Sequence, residues 1–326
     1  MRAAGLFWGA RANIVCGEPH KVQSKLQTAS QYSETFYGIL SAEALGMDPM
    51  NRASTIAFTK NDWALLRNEG NISLAVALSQ LGEQSLSDEL LRHHAKLSGA
   101  KNHASLVRLA RELNLPRTQI WLGHHGQRGN RPQNFARYPA PKWTPTGGWR
   151  VDPALVFAHT LQESNFRSKV ISPAGARGLM QVRPGTAQDI ARKRGVAFTA
   201  ASLNNPSTNM EYGQSYLEQL RDMSLTGGLL PKIVAAYNAG PSPVLRWNRE
   251  INDNGDPLLF IESIPYGETR AYVGIILRNY WMYEHQAGVK SPSLIGLAQG
   301  LWPRFPGMSG QSAVRLNHRG RGNSAD

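Results

Sequence analysis

Asp152-Pro153 opens the most constraining stretch of the chain, Val151 to Gln181, which reads VDPALVFAHTLQESNFRSKVISPAGARGLMQ. An aspartate side chain accepts hydrogen bonds at a helix N-cap and a proline fixes φ in the first turn, so a helix is predicted from this point. Ala154 to Leu161 are apolar on nearly every face, which predicts a buried helix rather than an amphipathic one. Glu163 stands at its end, close in sequence to Phe166. A carboxyl group in apolar surroundings resists ionising, because desolvation disfavours the charged form. Such a glutamic acid is expected to hold a proton near neutral pH and to donate it.

The same helical punctuation recurs. Asn205-Pro206, Leu230-Pro231 and Asp256-Pro257 all read as helix starts. Before the central stretch, Leu6, Phe7, Trp8, Ala10 and Ala12 form one piece of helix. Val22, Leu26 and Ala29 mark a second apolar stripe, and Phe36, Ile39, Leu40 and Ala44 a third. Helical runs are then predicted over Ala53–Phe58, Asp62–Asn68, Ile72–Leu81, Ser87–Leu97 and His103–Leu113, with Asn71 and Ser87-Asp88 as caps. This is the pattern of an all-α chain whose first part is a succession of helical hairpins, although it has no clean sequence period. Residues 1–138 are read as a helical solenoid region, 139–150 as a linker within the Gly- and Pro-rich stretch 123–149, and 151–290 as a second helical domain. Residues 291–326, polar and basic, are expected to be disordered.

The chain has 326 residues and a net charge of +13, which suits a polyanionic partner: nucleic acid, anionic lipid or carboxylate-bearing wall peptide. No compact Lys/Arg tract interleaved with aromatics is present, so nucleic acid is not expected. Cys16 is the lone cysteine, which excludes an internal disulfide and a cysteine-built zinc site. The pairs His93-His94 and His124-His125 are sequence neighbours, and adjacent helical residues diverge by about 100°, so neither pair readily shares one ion. No metal and no cofactor are expected, and no apolar run reaches the length of a membrane span. The first sixteen residues lack a clean export signal, and the abrupt start reads as that of a fragment or of a misplaced start.

Three blocks then occur in order. They are Glu163-Ser164 with Phe166, Ser172, Gly175-Ala176 and Gly178-Leu179-Met180-Gln181; Ala236-Tyr237-Asn238-Ala239-Gly240; and Glu262-Ser263-Ile264-Pro265 with Glu268-Thr269-Arg270 and Tyr272-Val273. Together they resemble the soluble lytic transglycosylases, whose catalytic domain is similar to goose lysozyme and acts on peptidoglycan. Thr35-Phe36-Tyr37-Gly38 resembles, more loosely, the end of the superhelical domain that precedes it in the larger members. Residues 1–138 are shorter than a full superhelical ring.

The resemblance implies one catalytic acid, Glu163, and peptidoglycan glycan strands as partner, with other cell-wall enzymes as possible companions. It implies a periplasmic location through the substrate. Ordinary glycosidases use two carboxylates, and no second acid stands out here. Ser172, Met180, Gln181, Tyr237, Asn238 and Glu268 are the implied substrate-binding residues. All but Gln181 also have a plain structural reading. Ser172 would close a turn, Met180 and Tyr237 would pack in a core, and Asn238 would cap a turn. Glu268 would suit the first turn of its helix or pair with Arg270 or Arg177. A hydrolytic muramidase on the same fold and a wall-binding protein with a dead cleft are the rival readings.

Overall fold

The computed structural model describes residues 1–48, 57–98, 102–125 and 134–316, and their regular structure is almost wholly helical. The helices are α1 (Arg2–Val15), α2 (Val22–Ser30), α3 (Phe36–Ala44), α4 (Lys60–Leu66), α5 (Gly70–Gln80), α6 (Gln84–Ser98), α7 (His103–Glu112), α8 (Pro116–His124) and α9 (Asn134–Arg137). After them come α10 (Pro153–Ser164), α11 (Pro184–Arg194), α12 (Pro206–Asp222), α13 (Leu230–Ala239), α14 (Pro241–Glu250), α15 (Pro257–Ser263), α16 (Gly267–Gln286) and α17 (Pro292–Ala298). Two short antiparallel strands, β1 (Trp302–Pro303) and β2 (Ala313–Val314), pair near the end. The chain divides into two compact units. One holds residues 1–51, 149–162 and 212–326; the other holds 52–148 and 163–211.

In the second unit the expected hairpins are present: α5 packs on α6, and α7 on α8. Their apolar stripes meet in a core that includes Leu66, Ile72, Leu91, Leu106 and Leu122. Thr59 caps α4 in a reciprocal box with Asp62. Asp62 is buried, accepts from Ser105 Oγ at 2.7 Å and from Arg108 Nε at 3.0 Å, and its carboxyl is held below the usual range chiefly by the Arg108 guanidinium. Three local expectations need correction. Asn71 lies inside α5, which starts at Gly70 without a side-chain cap. Ser87 and Asp88 lie inside α6. Asp88 instead caps another helix, accepting from Thr118 N in the first turn of α8 at 3.0 Å. The Gly- and Pro-rich stretch 123–149 is not all connector, since Phe135 and Ala136 of α9 are part of the core. Of the run Ala53–Phe58, all but Ala57 and Phe58 lie outside the described residues, as do 126–133.

In the first unit, α1 buries Ala3, Phe7 and Ala10, one stripe at helical spacing, and packs with α2 and α3. The Phe36 and Trp281 rings stack at 5.1 Å between α3 and α16. The tail from 291, expected to be disordered, is ordered through 316. Leu294 and Leu297 of α17 are buried, Trp302 and Phe305 are buried after them, and Trp281 Nε1 donates to Ser293 Oγ at 2.9 Å. A few large apolar side chains outweigh the polar average of that segment. Residues 317–326 lie outside the described residues.

Helix α10 has the buried character predicted for it, with Leu155 to Thr160 all inaccessible. Asp152 starts it, accepting from Ala154 N at 2.9 Å and from the Tyr280 hydroxyl at 2.8 Å. Glu284 follows one turn after Tyr280 on α16. Burial, the largest cause, raises its pKa from 4.5 to about 7; hydrogen bonds from Ser291 and Tyr280 oppose this, and Asp152 adds to it. A carboxyl raised in this way favours the folded state while protonated. Its contribution is complete below pH 4.5, falls as pH rises from there, and is gone above about 7. The difference corresponds to about 3 kcal/mol. Glu284→Gln is therefore expected to flatten the loss of stability between about pH 5 and 7 in urea titrations; a slope equal to that of the wild type would refute this role.

Candidate active site

Glu163 is the penultimate residue of α10 and is half-buried, less enclosed than the apolar run before it suggested. The helix ends abruptly after Ser164. Asn165 has φ 48° and Phe166 φ 60°, two successive left-handed residues, and the Phe166 ring is buried. Asparagine tolerates this conformation; a bulky aromatic does not, and each such residue costs roughly 1–3 kcal/mol unless its surroundings impose it. Strain of that kind concentrates at functional sites, and here it immediately follows the proposed acid.

The loop after it doubles back twice, through isolated bridges Ile171–Arg177 and Arg177–Val182. Ser172 closes the first bend: Ala176 N donates to its Oγ at 3.1 Å, and its own N–H donates to Ala176 O at 2.9 Å. The turn reading of Ser172 therefore holds, and its half-buried hydroxyl keeps a proton to donate. Gln181 adopts φ 47°, and its Nε2 donates to Gly178 O at 2.9 Å and Val170 O at 3.3 Å. Those bonds lock the amide and leave Oε1 as an acceptor. Met180, expected to line a cleft, is fully buried, and its N–H donates to Asn209 Oδ1 at 2.8 Å. Its thioether is part of the core under the loop and is not presented to a ligand. That expectation is corrected.

In the other unit, Tyr237 and Asn238 end α13, and Glu268 opens α16. Asn238 does not cap its own turn. It bridges the two helices, accepting from Thr269 Oγ1 at 2.6 Å and donating to Glu268 Oε1 at 3.4 Å. Glu268 is exposed, and Arg270 donates to Glu262 O rather than to it. Tyr237 is half-buried between two rings, with centroids 4.7 Å from His159 and 5.4 Å from Tyr216.

His159 is the residue that sequence reasoning missed. It is fully buried on α10, one turn before Glu163 and on the same helix face. Burial depresses its pKa to about 4, so the ring is neutral, with Nδ1 bonded to Leu155 O at 2.9 Å. A histidine in an apolar run has no distinguishing pattern, and only its contact with Tyr237 marks it as a positioning group.

An all-α chain of helical hairpins, with one acid at the strained end of a buried helix, has the architecture of a lysozyme-like domain behind part of a superhelix. Residues 144–259 match the family model described as the transglycosylase SLT domain. It is 35% identical over 161 residues to the soluble lytic murein transglycosylase of Escherichia coli K12, covering 49% of this chain and 24% of that one. It is 34% identical over 145 residues to membrane-bound lytic murein transglycosylase C of Histophilus somni, covering 41% and 40%. Among solved structures, the 70 kDa soluble lytic transglycosylase of Escherichia coli superposes with TM-score 0.75 at 25% identity, over 93% of this chain and 48% of that one. An inactive glutamate-to-glutamine mutant of the Pseudomonas aeruginosa lytic transglycosylase Slt superposes with TM-score 0.68 at 26% identity, over 89% and 47%. The chain thus spans about a quarter of its Escherichia coli sequence relative and about half of the solved relatives. Among the described residues, no helix is long and apolar enough to cross a membrane.

Proposed function

We propose that this chain is a peptidoglycan lytic transglycosylase that acts in the periplasm on murein glycan strands, with residues 151–290 as its catalytic domain. Glu163 is the general acid. The observation that carries this reading is its position: half-buried at the end of a helix whose residues 155–160 are buried, followed by two left-handed residues, inside the segment that matches the SLT family. Protonated Glu163 gives its proton to the oxygen of the β-1,4 bond between N-acetylmuramic acid and N-acetylglucosamine, and the bond from C1 to that oxygen breaks. The muramyl N-acetyl oxygen stabilises C1 from within the substrate. The Glu163 carboxylate then takes the proton of the C6 hydroxyl, whose oxygen closes on C1 to give a 1,6-anhydro ring, and the acid is regenerated. No water is consumed. An intramolecular nucleophile, already held at its target, removes the need for a second carboxylate.

Ser172, Gln181, Tyr237, Asn238 and Glu268 are proposed to contact the sugar chain through hydroxyl, amide and carboxylate groups, with His159 holding the Tyr237 ring. Mass spectrometry of digested sacculi decides between this and a hydrolytic muramidase. Anhydro ends, lighter by one water than reducing ends, are expected. Solubilised wall that carries only reducing muramic acid would refute the lyase assignment.

A further inference from the structure

Helix α15 has seven residues, too few to hold a helical conformation alone, so the bonds at its ends set its direction. Both ends are bonded to the opening helices of the chain, within the first compact unit. At its start, Asp256 Oδ1 accepts from Leu258 N at 2.8 Å and Leu259 N at 3.3 Å, while Oδ2 accepts from Arg11 Nη2 of α1. At its other end, Glu262 Oε1 accepts from the hydroxyl of Tyr37 on α3. Tyr37 is buried, with its ring centroid 5.1 Å from Phe7 and 5.0 Å from Phe36. Burial, the largest cause, pushes the phenol pKa up, so the hydroxyl keeps its proton and donates. Neighbouring Phe36 stacks on Trp281 of α16. Helix α3 therefore grips the helices on both sides of the turn 264–266. Glu262 O accepts from Arg270 Nη1 at 3.2 Å, and Arg270 N donates to Tyr266 O at 2.9 Å, which closes the turn against the start of α16, where Glu268 stands.

We propose that Tyr37 and Arg11 are positioning residues: residues 2–44 clamp α15 and so set the turn 264–266 and the place of Glu268. Within that turn Pro265 and Tyr266 are exposed, and the Tyr266 ring packs edge-on against Trp247 of α14 at 5.1 Å. That contact fixes one ring; the helices on either side are fixed by α3. Glu268 itself accepts one long bond, from Asn238 Nδ2 at 3.4 Å, so its place follows the helix that carries it. A clamp of this kind governs affinity for glycan and leaves proton transfer at Glu163, which α10 carries, unchanged. This functional half rests on the reading of Glu268 as a sugar contact.

Amide hydrogen exchange of the full chain reads the turn, and sedimentation with purified sacculi in the Glu163→Gln background reads wall binding without cleavage. Tyr37→Phe keeps the ring and removes the donor. It is expected to speed exchange of the Ile264 and Arg270 amides, which bond at the two ends of the turn, by about tenfold, with the amides of α13 unchanged. Wall binding is expected to weaken by about threefold or more, and with Glu163 present KM for sacculi should rise by the same factor while kcat stays level. Glu262→Gln keeps an acceptor for Tyr37 and should match the wild type in both readouts, whereas Glu262→Leu should match Tyr37→Phe. If Tyr37→Phe loses its fold, Arg11→Met, at a partly exposed position, is expected to speed the same amides by about threefold. Unchanged exchange in the turn, wall binding and KM equal to the wild type, or Glu262→Gln as impaired as Glu262→Leu would each overturn the clamp. If the Glu163→Gln chain does not bind sacculi at all, the proposed function fails, and the exchange result still decides whether α3 sets the turn.

Discussion

Glu163→Gln is expected to abolish release of soluble muropeptides from sacculi, by a factor of at least ~10²–10⁴, the range that a positioned acid-base group supplies. The substitution keeps the shape of the side chain and removes the exchangeable proton. Glu163 is half-buried at a helix end, so an amide there can satisfy its hydrogen bonds without unfolding α10. The variant should therefore still pellet with sacculi and unfold at the wild-type temperature while releasing nothing. Residual lysis within tenfold of the wild type would remove Glu163 from the mechanism. Loss of pelleting together with lysis would mean that the carboxylate mainly binds the wall. With one acid serving in both half-reactions, a single substitution disables both. A two-carboxylate hydrolase would keep its second group and could be rescued by an added nucleophile such as azide, which is not expected here.

What the chain disclosed in advance, and what it did not, divides along physical lines. The start of α10 at Asp152-Pro153, the buried run after it and the hairpins of α5 to α7 were legible because capping chemistry and apolar spacing are local. Asp88 was misread as the cap of its own helix because the rule for caps does not say which helix receives the bond. Only the packed structure brings Thr118 N to it. The order after residue 291 was hidden by averaging, since Trp302 and Phe305 are few but completely enclosed. Met180 shares a motif with Gln181 yet points the other way, into the core, because Gln181 adopts a left-handed conformation and the chain turns between them. The strain at Asn165 and Phe166 has no sequence signature at all. It is imposed by the packing around Phe166, and it is the feature that most distinguishes the end of this helix from an ordinary one.

Gly178→Ala is expected to destabilise the chain by about 3–5 kcal/mol and to lower its thermal midpoint by roughly 10 °C. Gly178 has φ 72°, and a Cβ there would lie 2.3 Å from both Asn209 Nδ2 and the backbone oxygen of Leu203. The oxygen cannot swing away, so the asparagine must. Asn209 is fully buried and makes three bonds that fix the loop: to Leu203 O and Arg177 O, each at 2.8 Å, and from Met180 N at 2.8 Å. Rotating it strands buried backbone groups, each worth roughly 1–3 kcal/mol when left unpaired. Gly175→Ala separates this clash from backbone strain. It has φ 77° but nothing within 4 Å of an added Cβ, so only the left-handed penalty of about 1–2 kcal/mol applies. If calorimetry found the two variants equally stable, the contact with Asn209 would not be what holds the loop. If Gly178→Ala proves much the worse, the bends that place Ser172 and Gln181 depend on one buried amide, and wall lysis should fall with the loop even while Glu163 remains in place.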